Sequence, residues 1–142
     1  DQRGYQRDSQ RNGFNSKRLD QVDIRPLQDP AAILQCRAEV ARARMEPGVQ
    51  HYAVALVRRT RAHPFIHYGA SPRASVALLL CSKALAAIRG REFVTPDDVR
   101  DVALPVLRHR VLTNFHAESE GITSDSIIDQ LLEAVPTPRS GM

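Results

Sequence analysis

Residues 71–90, SPRASVALLLCSKALAAIRG, decide the fold. Ser71-Pro72 reads as a helix start with proline at the first helical position, and Gly90 reads as the stop. At 100° per residue the side chains between them sort into two unequal arcs. Ser75, Ser82 and Arg89, spaced by seven, make a narrow polar stripe. Val76, Ala77, Leu80, Cys81, Ala84, Leu85, Ala87 and Ile88 fill a wide apolar arc on the other side. A helix this apolar is expected at the centre of a helical bundle, with the wide arc packed inward.

Four further helices are expected around it. Asp29-Pro30 starts one that runs to about Arg44, with Ile33, Leu34, Ala38, Val40, Ala41 and Met45 on its apolar side. Glu46-Pro47 starts the next, in which Val49, Tyr52, Ala53, Leu56 and Val57 recur at amphipathic spacing until His63-Pro64 ends it. Thr95-Pro96-Asp97-Asp98 starts a fourth, with a stripe of Val99, Val102, Ala103, Val106 and Leu107. Pro105 inside that stripe predicts a kink or break, at up to ~3 kcal/mol of helix stability. Thr123 caps a last helix carrying Ile127, Ile128, Leu131, Leu132 and Val135, while Val111 to Phe115 either extends a helix or forms a short strand. The expectation is an all-α five-helix bundle over residues 29–135, with room for one very short strand pair. A flexible linker is expected at 1–28, where the sequence is polar and aperiodic, and a disordered tail at 136–142.

Composition agrees with this class. At 142 residues, 42% hydrophobic and 25% charged, the chain has the makings of one ordinary domain, and 5% aromatics without tryptophan favour aliphatic helices over a β-sandwich. The net charge of +4 is spread: residues 1–28 hold six basic and four acidic groups, and residues 29–142 hold fourteen and twelve. Neither part is a strongly basic patch, so a nucleic-acid partner is disfavoured. Cys36 and Cys81 fall among apolar residues without metal-ligand spacing and are expected to be buried thiols in a reducing compartment. No apolar run approaches the ~20 residues of a membrane span and no signal-peptide pattern opens the chain, so no membrane association and a cytoplasmic location are expected. A first residue of Asp1 suggests a piece of something longer.

Arg73 does not fit its helix. It projects near the middle of the apolar arc, and a cation in the first turn opposes the helix macrodipole by roughly 0.3–1 kcal/mol. Free backbone N–H groups at a helix start, beside a fork-shaped and always-charged guanidinium, make an anion site suited to phosphate. The competing reading places Arg73 at the edge of the core, reaching water or pairing with an acidic residue of another helix.

YGASPRASVA at 68–77, RGREFVTPDDV at 89–99 and LRHRV at 107–111, together with RRTRAHP at 58–64 and GIT at 121–123, resemble the C-terminal lid of the MoxR family of AAA+ ATPases. The resemblance runs from about Leu19 to Val135. In that family the GASPRA motif carries the sensor 2 arginine, which reaches the γ-phosphate of ATP held in the preceding α/β domain. The resemblance thus implies that Arg73 is the catalytic contact and that Arg73 and Ser71 are nucleotide-binding. It also implies ATP and Mg2+ as cofactors of a full-length protein, with none expected in this fragment. The implied partners are the AAA+ core domain, neighbouring subunits of a ring expected to be hexameric, and client proteins to be remodelled or assembled, von Willebrand factor A domain proteins among them. The sequence has no G-x-x-x-x-G-K-[ST] phosphate loop and no apolar run ending in paired acids to hold magnesium, so the chain is not expected to hydrolyse ATP alone.

Other residues invite chemistry and receive plainer readings. His109 and Arg110 are expected to pair at a helix end rather than to touch another subunit. His51, His63, His67 and His116 lack the partners of a metal site, and none is expected. Asp97 and Asp98 follow Thr95-Pro96 directly and are read as first-turn helix stabilisers. The alternative function is a small basic helical module that binds nucleic acid through Arg58, Arg59 and Arg61, although cations at a helix end suit the macrodipole without any ligand. A third reading, a helical scaffold for protein contacts, predicts a salt-bridged Arg73.

Overall fold

The computed structural model describes residues 29–138. Among them the chain forms α1 (Pro30–Arg42), α2 (Pro47–Thr60), β1 (Ile66–Tyr68), α3 (Pro72–Ile88), α4 (Pro96–Leu107), β2 (Leu112–Thr113), α5 (Phe115–Ser119) and α6 (Ser124–Ala134). The expected helical class holds, with α5 as an additional short helix and with β1 and β2 as an antiparallel strand pair. The linker expected at 1–28 lies outside the described residues, as does the end of the expected tail. Residues 35–138 belong to one compact unit, and residues 29–34 are the described part of the other.

The caps follow the sequence signals. Thr95 and Asp98 close α4 reciprocally, and Thr123 and Ser126 do the same for α6, so two orphan N–H groups are satisfied at each start. Gly90, at φ 70°, turns the chain out of α3 while Gly90 N–H donates to Ala87 and Arg91 N–H to Ala86, each at 2.9 Å. The same device ends α5, where Gly121 has φ 69° and Ile122 N–H donates to Ala117 at 2.8 Å. Asn114 starts that helix by accepting from Ala117 N–H at 3.0 Å. Pro105 does not break α4, which continues through Val106 and Leu107. The exposed ring sits so near the helix end that little helix remains beyond it to interrupt.

The core joins Leu56 and Val57 of α2, Leu78 of α3, Val99 and Leu107 of α4, and Ile128 of α6. α1 contributes no buried residue, against the expectation of a packed apolar side, and Ile33 and Leu34 are exposed. Arg44, just beyond it, accepts from Val94 N–H and donates to the Glu92 carbonyl in a parallel bridge.

The phase of α3 is the reverse of that expected. Ala74, Leu78, Ser82 and Ala86 are buried, whereas Val76 and Leu80 are each 56% exposed and Ile88 is 81% exposed. Three of the four buried residues are small, which lets α2 and α4 approach closely, and the Ser82 hydroxyl donates to the Leu78 carbonyl at 2.7 Å, so its burial leaves no unpaired group. Val76, Leu80 and Ile88 are thereby left on the outer face. Cys36 and Cys81 are exposed free thiols, against the expectation of burial, because Cys81 belongs to that outward arc and Cys36 to α1.

Candidate functional site

The start of α3 is built on the end of α2. Thr60, the last residue of α2 and wholly buried, donates its hydroxyl to the Val57 carbonyl at 2.7 Å and accepts from Ala70 N–H at 2.9 Å. Arg61 follows and donates Nε–H to the Ala70 carbonyl at 2.9 Å. Both backbone groups of one buried residue are therefore held by two consecutive residues at a helix end. Gly69 makes this approach possible: a Cβ there would lie 2.6 Å from Arg61 Cγ and 2.7 Å from its Cα and N.

Ser71 and Pro72 lead from this clamp into the helix. Ser71 is extended at φ −72° and ψ 165°, Pro72 takes the first helical position, and the exposed Ser71 hydroxyl makes no capping bond. Arg73 comes next, exposed, with no hydrogen bond or ion pair among the described residues. It shares its face with Val76 and Leu80, three and seven residues on. The cation is thus placed on the apolar arc, as expected, but the arc faces outward. The salt bridge that a mere scaffold would give Arg73 is absent among the described residues. Arg73 lines none of the clefts at Glu39–Arg91, Ala41–Lys83 and Ala55–Ala62.

The opposite end of α3 is held by charge. Asp98 is fully buried and accepts from Arg89 at 3.0 Å, from Arg91 through both of its oxygens, and from Thr95 N–H at 2.9 Å. Burial pushes its carboxyl up, but the hydrogen bonds from Arg91 and Thr95 and the Arg91 charge outweigh that and hold it at about 2. Asp98 is thus a helix cap, as expected, and also the centre of an ion cluster that the sequence reading missed.

Several of the remaining candidates have structural partners. Arg110 donates to the Val106 carbonyl and to His109 Nε2, which pairs the two at the end of α4 as expected. His116 pairs with Glu120 at 3.1 Å and lies tilted against the Phe65 ring, while His67 meets the Tyr68 ring edge to face. Among the described residues no three His, Cys, Asp or Glu side chains gather to hold a metal ion, and no helix is long and apolar enough to cross a membrane. Of the three arginines of the nucleic-acid alternative, Arg61 is engaged with Ala70, while Arg58 and Arg59 border a cleft of about 280 Å³ with Ala55 and Ala62.

Comparison with known proteins decides the family, since the AAA lid domain matches residues 58–131, more than half of the chain. The chain belongs to the AAA lid domain family, in its MoxR branch. It is similar to YeaC of Bacillus subtilis, an uncharacterized protein, at 36% identity over 70% of this chain and 31% of that protein. It is also similar to chaperone MoxR1 of Mycobacterium tuberculosis, at 37% identity over 53% of this chain and 20% of that protein, and to MoxR of Paracoccus denitrificans, at 35% over 51% and 22%. A crystal structure from Cytophaga hutchinsonii, described as a candidate ATPase, superposes with a TM-score of 0.73 at 32% identity, over 77% of this chain and 36% of that one. The lid spans less than a third of the length of these curated relatives. The matched segment begins at Arg58 and so includes the end of α2, the clamp on Ala70 and all of α3.

Proposed function

We propose that this chain is the nucleotide-responsive lid of an AAA+ ATPase and that Arg73 reaches the phosphates of ATP held, with Mg2+, by an adjoining nucleotide-binding domain. The observation that carries this reading is an exposed guanidinium, without a partner among the described residues, at the head of an outward apolar stripe formed by Val76 and Leu80. A monomeric helical domain gains nothing by displaying large apolar side chains in a row, whereas a domain that closes on another buries them. The guanidinium at the edge of that contact then meets phosphate in a site from which water is excluded, where its charge counts for more than on an open surface. Ser71 lies beside it at the helix start, its hydroxyl making no capping bond. ATP binding would close the lid and hydrolysis would release it, and in a ring of subunits that movement would serve the remodelling or assembly of client proteins. The name chaperone on MoxR1 supports this last step.

The test replaces Arg73 in the protein that joins this lid to its nucleotide-binding domain. Arg73→Ala should lower ATP turnover by about a hundredfold, the usual effect of removing one preorganised electrostatic contact, while the helical signal and melting temperature stay unchanged. Turnover equal to that of the parent protein would remove Arg73 from the mechanism.

A further inference from the structure

We infer that Thr60 and Arg61 are positioning residues for Arg73, acting through the backbone of Ala70; the inference rests on the proposed role of Arg73. Three observations at one point carry it. Ala70 is wholly buried, and its N–H and C=O are bound by Thr60 Oγ1 and Arg61 Nε, each at 2.9 Å. Two hydrogen bonds from opposite sides of one residue fix both its position and its rotation. Gly69 is pressed against the Arg61 backbone so closely that a Cβ would overlap it, which blocks sliding of the loop along α2. Beyond Ala70 only Ser71 and Pro72 intervene before Arg73, and proline fixes one of the few remaining dihedrals.

Arg73 itself has no side-chain partner among the described residues, so the origin of its side chain is inherited from this clamp. The Thr60 hydroxyl is suited to the task because it is itself oriented, donating to the Val57 carbonyl at 2.7 Å. Arg61 is an arginine with a backbone carbonyl to hold, and this removes it from the set of cations available to a ligand. A displacement of about 1 Å at a catalytic group costs as much as a hundredfold in rate, so loss of the clamp should register in turnover.

The experiment measures ATP turnover in the protein joining this lid to its nucleotide-binding domain, for Thr60→Val, Thr60→Ser, Arg61→Ala, Arg73→Ala and the double variant Thr60→Val with Arg73→Ala. Amide hydrogen exchange at Ala70 is followed in parallel. Thr60→Val keeps the shape of the side chain and removes the hydroxyl, whereas Thr60→Ser keeps the hydroxyl. The expected result is faster exchange at Ala70 and a loss of about tenfold to a hundredfold in kcat for Thr60→Val and Arg61→Ala, with near-parental kcat for Thr60→Ser. In the double variant turnover should fall no further than in Arg73→Ala alone, because a positioning residue has nothing left to position. Faster exchange with parental kcat, or additive losses in the double variant, would overturn the inference while leaving the role of Arg73 intact. A parental kcat for Arg73→Ala would overturn both. If Thr60→Val fails to fold, the exposed Arg61, changed to Ala alone and together with Arg73→Ala, decides by the same comparison.

Discussion

Arg91 grips Asp98 with two nitrogens, Nη1 to Oδ2 at 2.8 Å and Nη2 to Oδ1, and it does so at the point where the chain leaves α3 and enters α4. The same carboxylate accepts from Arg89 and closes the α4 capping box, so one buried side chain joins the end of one helix to the start of the next. Replacing it removes a cap, worth about 1 kcal/mol, together with hydrogen bonds to charged groups worth about 1.5–3 kcal/mol each when well shielded. The arginines are partly exposed and can recover some hydration. Asp98→Ala should therefore cost about 2 kcal/mol or more in chemical denaturation, and the exposed neighbour change Asp97→Ala less than about 1 kcal/mol. Equal costs at the two positions would show that the cluster adds nothing to ordinary first-turn stabilisation.

The same carboxyl sets an acid limit. Its value in the fold is held at about 2, below the ordinary value of 3.8, so folding favours the ionised form. The corresponding stability is fully present above pH 4–5 and is lost as pH falls from there through about 2, where the folded protein also takes up the proton. Melting temperatures should be flat with respect to this group above pH 5 and fall below pH 4. The Asp98→Asn variant should start lower and show a shallower acid decline. Parallel acid profiles for the two proteins would assign the decline to other carboxylates.

Gly69→Ala tests the tightest backbone approach. The new methyl would meet Arg61 backbone atoms at 2.7 Å, and these cannot swing aside as the end of a flexible side chain can. Either the loop lifts away from α2, lengthening the bonds to Ala70, or the end of α2 distorts. A cost of about 1–3 kcal/mol is expected, the range for overpacking in a well-packed site. Gly90→Ala should also destabilise, but through its positive φ alone, since nothing lies within 4 Å of the added carbon. A melting temperature unchanged by Gly69→Ala would show that the loop has slack.

The contrast between what the residues announced and what they concealed follows from the range of the forces involved. Thr95-Pro96, Thr123 and Gly90 mark helix ends through bonds made within a few residues, Ser71-Pro72 does so through the dihedral that proline fixes, and each marked its boundary. The side of α3 that packs is a different matter, because apolar residues occupy most of its circumference. Burial there was decided by the small size of Ala74, Ser82 and Ala86, which permits close helix approach, and not by hydrophobicity. α5 was missed because five residues show no periodicity, although Asn114 and Gly121 stood at its two ends. Arg73 stood out because it broke a local rule. Thr60 and Arg61 did not, because their partner is a backbone group ten and nine residues away, and no pattern in side-chain types reports such a bond.

The outward face of α3 gives the last prediction. Leu80 is 56% exposed and stands two turns beyond Arg73 on the same side of the helix. Leu80→Gln keeps the length of the side chain and helix propensity, so in the lid alone it should change stability by no more than about 0.5 kcal/mol. In the protein that carries the nucleotide-binding domain, closure would bury the amide in a contact shaped for leucine. A polar group buried without a partner costs about 1–3 kcal/mol, which corresponds to a loss of about fivefold to a hundredfold in the closed population. ATP turnover should fall accordingly with Arg73 still in place, and a Gln at Glu133, exposed on α6, should leave it unchanged. Parental turnover in Leu80→Gln would mean that the stripe faces solvent throughout the cycle, and Arg73 would then have to meet its phosphate without an apolar contact behind it.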